Sequence, residues 1–223
     1  MNFLKYVFFI LPLLISCAAY SQVTGEWFAV ETELALTKKF SIENRLEARA
    51  MNTDGFHIAK YLTQLGLGYQ FNQQFKSSVI YRFAWELEEN LQYYYQNRLM
   101  VDTKFEQPAG QFKFVYRVRF QRDASTYVTS ERDNTPILHL RNLFAITYVL
   151  PDKPIEPAVF LDAFTPLNGH SDNYLDRLYM GAELEFELNE RHSFTGIVMY
   201  VNDRFRYQES AIILRLFYNI SIG

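Results

Sequence analysis

Residues 61–87 read YLTQLGLGYQFNQQFKSSVIYRFAWEL, and this stretch decides the fold. Most of its odd-numbered positions are apolar, from Tyr61 to Phe71 and again from Phe75 to Leu87. Polar residues and glycines occupy the positions between them. Alternation sustained for about ten residues on each side of a short polar turn is typical of a long β-hairpin with two different faces.

The same unit recurs along the chain and gives about eleven strand candidates. It also explains why 20 Phe and 16 Tyr coexist with a mean hydropathy of only -0.15, because large apolar residues are interleaved with polar ones. A helical membrane protein would collect them into runs of about 20 residues. The candidates are 27–36, 40–50, 61–71, 75–87, 93–106, 112–121, 138–150, 158–164, 178–186, 192–201 and 212–222.

Two all-β folds share this alternation, and they differ in which face is outside. A soluble lipocalin-like barrel turns its apolar residues inward, whereas an outer-membrane barrel turns them towards lipid. The apolar faces hold more bulk than a small interior could pack, and short turns alternate with longer polar loops, so the pattern favours the membrane barrel. Aromatic residues also flank the short turns, as an interfacial girdle requires. They are Phe40, Tyr69, Phe71, Phe75, Phe105, Phe112, Tyr148, Phe186 and Phe194.

The strand number is predicted as ten to twelve, in an antiparallel up-and-down transmembrane β-barrel. Single-chain bacterial barrels have even numbers of strands, so that the first and last strands pair antiparallel. A count of about eleven therefore predicts one of two corrections. Either one candidate is not a barrel strand, or a strand is hidden in a long loop near 122–135 or 165–173.

The N-terminus has the pattern of a secretion signal. Lys5 supplies a weak positive charge, Tyr6–Ile15 is an apolar core too short to span a bilayer, and Ala19-Tyr20-Ser21 suits cleavage before Gln22. Residues 1–21 are therefore predicted to be a signal peptide, and residues 22–223 the barrel domain. The competing hypothesis is a lipoprotein signal with lipid on Cys17, although a first strand near Thr24 leaves little tether for it.

Composition excludes several classes of function. The 22 Lys and Arg nearly balance the 25 Asp and Glu, so nucleic acid is not an implied partner. The one cysteine, Cys17, lies in the leader, so the mature chain is expected to have no disulfide, thiolate nucleophile or thiol-based metal site.

From about Val23 to Gly223 the chain resembles the outer-membrane barrel family catalogued as domain of unknown function 2490. The matching features, in order, are Trp27, the charged strand 43–47 (ENRLE), 65–69 (LGLGY), Tyr81-Arg82, 116–122 (YRVRFQR) and 214–216 (LRL). The resemblance implies an outer-membrane location and no known catalytic activity. It supplies no functional residues.

The polar strand faces predict a lumen, the barrel interior, that is lined with both signs of charge. Unpaired charges away from water cost several kcal/mol, so these side chains are expected to pair. The network is predicted to be a salt-bridged plug that sets shape and register, and the alternative is a narrow polar pore for a small solute. Its predicted members are Glu43, Arg45, Glu47, Arg49, Arg82, Glu86, Arg98, Asp102, Arg117, Arg119, Arg141, Arg177, Glu183, Glu185 and Arg215, together with Glu31 and Glu33.

Catalysis is a further alternative, because enzymatic barrels act on lipids or peptides at the outer rim. The candidate residues are His57, His139, His170 and His192, with Ser125, Ser130 and Ser171, and with Asp54 or Asp172 to orient a histidine. His57, His170 and the serines are predicted to lie in loops. No spacing among them matches a nucleophile motif, so no catalytic residue is predicted.

Metal and cofactor sites are not predicted either, since the histidines are scattered without ligand spacing. Gly66 and Gly68 stand mid-strand at period two and are no phosphate loop. They are expected to make room for opposing luminal arginines.

The sequence thus predicts a non-enzymatic outer-membrane barrel of a Gram-negative bacterium, without a cofactor. Its expected partners are membrane lipid, lipopolysaccharide and the barrel-assembly machinery, with an unknown small solute if the lumen is open.

Overall fold

The chain folds as an all-β barrel of eleven strands. The computed structural model describes residues 23–52, 56–87, 93–125, 136–151, 153–168, 175–203 and 210–223. Within this part no helix is long and apolar enough to cross a membrane. The strands are β1 (Val23–Ala35), β2 (Phe40–Asn52), β3 (Phe56–Gln70), β4 (Phe75–Leu87), β5 (Tyr93–Ala109), β6 (Phe112–Ser125), β7 (Ile137–Tyr148), β8 (Ile155–Pro166), β9 (Arg177–Asn189), β10 (His192–Asp203) and β11 (Ser210–Ile222).

Several sequence-based predictions lie outside the described residues. They concern the signal peptide 1–21 with Cys17, and the loop residues Asp54, Ser130, His170, Ser171 and Asp172.

The barrel closes through a parallel pair. Consecutive strands are hydrogen-bonded antiparallel neighbours, and β1 pairs with β11 in parallel, from Val23↔Ala211 to Leu34↔Ile222. The all-β barrel of ten to twelve strands is therefore confirmed. The expected even number is wrong, because all eleven candidates are strands and no further strand separates any pair in the closed ring. A parallel seam satisfies the edges of β1 and β11 as an antiparallel one would.

The two ends of the barrel differ in their connections. One end, here the short-turn end, carries the turns at 36–39, 71–74, 110–111, 149–154 and 190–191. The opposite, long-loop end carries the remaining connections. Side-chain oxygens organise three of the short turns: Thr37 Oγ1, Asn72 Oδ1 and Asn189 Oδ1 each accept bonds from the backbone N–H groups two and three residues on, at 2.9–3.1 Å.

Several strands are longer than predicted. β5 runs through Pro108 to Ala109, so the turn is only Gly110–Gln111, with Gly110 at φ 63°. β6 continues to Ser125, which was predicted to be in a loop, and β3 begins at Phe56, so His57 is a strand residue and not a loop residue.

Strand β8 begins at Ile155 and ends at Pro166, so it extends beyond the predicted strand 158–164 at both ends. Its prolines are tolerated because the neighbouring ladder is incomplete at each of them. Pro157 pairs only with β9, since the pairing between β8 and β7 ends at Ala158. Pro166 pairs only with β7. A missing N–H costs little at such sites.

The outer surface of the barrel is apolar. Large side chains at alternate positions are 38–58% exposed on neighbouring strands, including Phe28, Leu46, Leu65, Val79 and Leu99. Lys60, Arg82, Asp102 and Arg119, at the other parity, are buried in the interior. The faces are thus arranged as a membrane barrel requires and opposite to those of a lipocalin-like barrel.

Aromatic rings gather at the short-turn end of this outer surface, as predicted from their positions beside the turns. Phe40 packs edge-on against Tyr69 at 4.9 Å, Phe75 lies 5.1 Å from Phe105, and Phe112 lies 5.3 Å from Tyr148. A smaller group, Phe83, Trp85 and Tyr95, lies towards the long-loop end of β4 and β5.

Candidate functional site: the charged lumen

The interior encloses a cavity of about 680 Å³ whose wall includes residues from all eleven strands. The residues that line it follow from the two-residue repeat of a β-strand, because side chains that alternate with the outer apolar face point inward. All the predicted network residues line this cavity except Glu47 and Glu86. Those two lie behind the lining, where Glu47 contacts Arg49 and Glu86 accepts a 2.8 Å bond from Lys60 Nζ.

Arginine–aspartate pairs hold the middle of the barrel and its long-loop half together. Arg119 binds Asp102 through two bonds, Nε–Oδ1 at 2.6 Å and Nη2–Oδ2 at 2.5 Å, across the β5–β6 ladder. Arg98 binds Asp123 in the same two-pronged way at 2.5 and 2.9 Å. Asp162 accepts from Arg141 and, at 3.3 Å, from Arg117. Such bidentate pairs fix side-chain geometry as well as neutralising charge.

Lysines and glutamates take over at the short-turn end. Lys76 Nζ lies 2.5 Å from Glu33 and 2.7 Å from Glu43, and Lys113 Nζ lies 2.9 Å from Glu156. Side chains here are open to solvent, with Glu33 48% exposed, whereas Arg119 is 8% exposed and His139 0%. The described luminal side chains are therefore more accessible at the short-turn end than in the middle and long-loop half of the barrel.

Four arginines surround Glu47, whose side chain is fully buried. Arg49 and Arg45 contact it directly, the latter at 3.5 Å, and Arg82 and Arg215 also lie within its electrostatic range. We call Arg45, Arg49, Arg82 and Arg215 the arginine cluster.

Aromatic rings support part of the arginine cluster. The guanidinium carbons of Arg49 and Arg215 lie 3.8 and 5.0 Å from the Trp27 ring centre, and Arg215 lies 4.5 Å from that of Phe217. These are cation–π distances.

One side of the lumen is apolar, which the sequence analysis missed. This apolar wall, on β1, β10 and β11, packs into a buried cluster next to Trp27. The available signal was in β11, where SAIILRLFYNISI is apolar at both parities apart from Arg215, Asn219 and the serines near its two ends. The members of the wall are Ala29, Ile197, Met199, Val201, Ala211, Ile213 and Phe217.

Several luminal partners were also missed, because their segments were predicted to be loops or turns. Asp123 lies within the predicted loop near 122–135 and Glu156 lies before the predicted strand 158–164, yet they pair with Arg98 and Lys113. Asp162 was within a predicted strand but was not identified as luminal.

Gly66 and Gly68 face the lumen, but they do not make room for arginines. A Cβ on Gly68 would lie 2.6 Å from Ser41 Oγ and 2.9 Å from Lys76 Cε, and one on Gly66 would lie 3.1 Å from Ile80. The glycines therefore accommodate the neighbouring serine, lysine and isoleucine side chains, so the prediction about arginine is wrong.

Comparison with known protein families identifies the family of the chain. The family described as "Protein of unknown function (DUF2490)" matches residues 24–210. The chain belongs to this family. The match runs from β1 to the first residue of β11, so the DUF2490 region and the barrel nearly coincide, and the predicted resemblance is confirmed. No curated protein sequence matches the chain.

In this DUF2490 barrel the described candidates for catalysis do not assemble as suggested. His139 Nε2 lies 2.8 Å from Asp176 Oδ2, both side chains are at most 4% exposed, and neither residue lines the cavity. His192 Nδ1 instead contacts the Tyr218 hydroxyl at 2.9 Å, and His57 and Ser125 are strand residues. Asp176, the partner of His139, is not among the residues that the sequence suggests for catalysis.

Among the described residues, no group of three or more His, Cys, Asp or Glu side chains has an arrangement that could hold a metal ion. The carboxylates at the short-turn end are instead interleaved with lysines, as in the pairs described above.

Proposed function

We propose that this chain is a non-enzymatic β-barrel of the outer membrane of a Gram-negative bacterium, and that its ion-paired lumen is a braced chamber and not an open channel. The observation that carries the proposal is the sidedness of the closed ring. Large apolar side chains cover its outside, and nearly every described ionic pair lies inside. In water this arrangement would expose an apolar surface that soluble monomers avoid.

The height of the apolar surface fits a bilayer. On β4 the outward positions from Phe75 to Trp85 span ten residues, and both ends carry aromatic rings. At about 3.4 Å per residue and a tilt of about 40°, ten residues rise about 26 Å. Outer-membrane barrels have an apolar band about 25 Å tall between aromatic girdles.

This location implies a route and partners. The proposed signal peptide, residues 1–21, directs export, and the barrel-assembly machinery then inserts the strands into the membrane. Phospholipid and lipopolysaccharide contact the apolar band, and the short-turn end faces the periplasm, as short turns do in this class.

The degree of burial inside the barrel supports a chamber over a pore. Gln121, His139 and Met100 are 0% exposed at luminal positions in the long-loop half, and Arg82 and Asp162 are 7% and 3% exposed. Ions crossing the barrel would have to displace several of these paired groups.

Fractionation tests the location. We expect the chain to sediment with the outer membrane, to stay there after a urea wash, and to migrate faster on SDS gels before boiling than after. Recovery from the soluble periplasm would contradict the proposal.

Planar-bilayer recording tests the chamber. The refolded chain is expected to give no steady single-channel steps in 1 M salt, where small conductances are easiest to detect. The control is the double variant Met100→Gly with His139→Gly, which removes two buried luminal side chains and is expected to open the lumen. Steady steps from the wild-type chain would favour the pore instead.

A further inference from the structure

The arginine cluster carries more positive charge than its described partners neutralise. Two carboxylates contact it, Glu47 at Arg45 and Arg49, and Glu31 at Arg45. Four guanidinium groups face these two carboxylates, and Glu183 is a third carboxylate within the electrostatic range of Arg215. Even with Glu183 counted, one positive charge is in surplus. Charge left uncompensated in a barrel interior is costly, so an anion bound there would be strongly stabilised.

The surplus positive charge lies on two particular arginines. Among the residues that the structure describes, neither Arg82 nor Arg215 pairs with a carboxylate. Arg82 donates from Nε and Nη2 to the neutral Gln64 Oε1, at 3.2 and 2.8 Å. Arg215 lies on the rings of Trp27 and Phe217. Arginine presents the forked donors that carboxylates and phosphates accept.

Buried donors at the same place are also unused. Within the described part of the chain, Trp27 Nε1, Arg45 Nε and Arg215 Nε are buried without an acceptor. Unpartnered Nε atoms also occur on Arg117 and Arg141, and Glu47 Oε2 is a buried acceptor of the cluster without a partner. Buried polar atoms in native proteins nearly always have a partner, so three donors beside one free acceptor atom favour an added acceptor at the cluster.

The apolar wall adjoins these donors. Met199, Ile213 and Phe217 are at most 5% exposed and line the same cavity as the arginine cluster. One cavity thus offers a cationic surface and an apolar surface side by side. Its volume of about 680 Å³ lies within the range of about 300–1,000 Å³ that is typical of small-molecule sites.

We propose that the arginine cluster and the apolar wall form a binding site for an amphipathic organic anion. The carboxylate or phosphate of such a molecule binds Arg82 and Arg215. Its apolar body packs on Phe160 and Tyr179, which are partly buried, line the same cavity and pack against the apolar wall. The ligand enters from the short-turn end, where luminal side chains are solvent-exposed. The site lies in the lumen and does not depend on where the barrel resides, so its test and the test of location fail independently.

The two tryptophans of the chain allow a direct measurement. Trp27 lines the cavity, whereas Trp85 lies on the outside against Phe83. In a Trp85→Phe chain refolded in uncharged detergent, the emission therefore reports on the lumen. We expect decanoate to change the Trp27 emission saturably and 1-decanol, which partitions into the micelles without a charge, to leave it unchanged. 1-Adamantanecarboxylate distinguishes the source: stronger binding of decanoate indicates a lipid-derived acid, and stronger binding of the compact acid indicates a soluble one.

Single substitutions in the lumen test where decanoate binds. Arg82→Gln and Arg215→Gln are each expected to weaken decanoate binding about tenfold or more, because each removes a charge-assisted contact. The matched control is Arg117→Gln, a luminal arginine held by Asp162 away from the cluster, and it should change the affinity less than twofold. Phe160→Thr removes an apolar ring from the cavity lining without altering charge and should weaken binding several-fold.

Folding of each variant is checked by its heat-modifiable gel mobility, and Phe160→Thr serves if an arginine variant does not fold. The proposal is overturned if decanoate gives no saturable signal, if decanol matches it, or if Arg117→Gln weakens binding as much as Arg82→Gln does.

Discussion

Asp102 and Arg119 are directly opposite each other on β5 and β6, and both residues are about 6–7% exposed. Two short bonds join them, so neither charge has water to replace its partner. Removing one member leaves the other buried and uncompensated, which costs more than the pair contributes when intact.

We therefore expect Arg119→Gln to lower the free energy of unfolding by about 3–5 kcal/mol, as measured by urea unfolding in lipid vesicles. The double variant Asp102→Asn with Arg119→Gln should cost less than the single one, because no lone charge remains. Lys104→Gln is the exposed control. Its pair with Glu106 is 45% and 34% exposed, so its cost should stay below about 1 kcal/mol. Equal losses at positions 104 and 119 would contradict this account.

Gly181 and Gly196 are on adjacent strands but differ in the space around them. A Cβ at Gly181 would lie 2.5 Å from the Val198 carbonyl oxygen and 2.9 Å from Met199 Cβ. At Gly196 the nearest atom, Leu216 Cδ2, is 3.9 Å away. Only the backbone can relieve the first contact.

Gly181→Ala should accordingly destabilise the barrel by about 1–3 kcal/mol in the same urea assay. Gly196→Ala should be neutral or stabilise it by up to about 1 kcal/mol, because alanine restricts the unfolded chain more than glycine does. The reverse order of the two variants would show that β9 and β10 are not packed in the described register.

At this scale the sequence predicts which face a residue occupies but not which residue it meets. Alternation was enough to place Arg119 and Asp102 in the lumen, because period two needs only the local sequence. The pairing depends on the register between strands, which a single strand does not encode. His139 can likewise be identified from the local sequence, but its partner Asp176 lies 37 residues away along the chain and cannot.

At the scale of the strands, proline was the misleading signal for where a strand ends. Pro108, Pro157 and Pro166 look like turn residues, yet each belongs to a strand. Each proline lies where the pairing with one of its two neighbouring strands has already ended. In a tilted barrel, neighbouring strands are offset along the axis, so such staggered ends recur between strands. The stagger results from closing the sheet, so local composition does not reveal it.

The β1–β11 seam is a testable element, because its parallel register fixes which residues are adjacent. Phe28 and Leu216 are paired across it. In the chain from residue 22 onward, which lacks Cys17, we expect Phe28→Cys with Leu216→Cys to form a disulfide during refolding, seen as a shift on non-reducing gels. Paired strand residues lie within disulfide reach, at about 5 Å between Cα atoms.

The control pair for the seam is Phe28→Cys with Ile220→Cys. Four residues along a strand add about 13 Å, which is too far for a disulfide. Cross-linking of the control alone, or of neither pair, would mean that β1 and β11 do not meet in this register.

For the whole molecule, the closed ring and the sidedness of its faces followed from the repeated alternation, whereas the odd strand count did not. The candidates numbered about eleven, and a general rule about even numbers led to the wrong expectation. The apolar wall inside the lumen also could not be inferred, because a strand that is apolar at both parities gives no periodic signal.

The odd number has a consequence for the ends of the barrel. Val23 starts β1 at the long-loop end, because it pairs with Ala211 just after the 204–209 connection. Ile222 ends β11 at the short-turn end, opposite Leu34. With an odd number of crossings the first and last strands enter and leave on different sides of the membrane.

We therefore expect an epitope tag between Gln22 and Val23 to bind antibody on intact cells, and a tag after Gly223 to bind only after the outer membrane is permeabilised. The reason is that the short turns face the periplasm in the proposed orientation. A tag within 126–135, which joins β6 to β7, is the control for the outer side, and a tag between Asn72 and Gln73 is the control for the periplasmic side. Each terminal tag should behave like the control on its own side. If both terminal tags match the same control, the chain crosses the membrane an even number of times and the parallel seam does not exist in the cell.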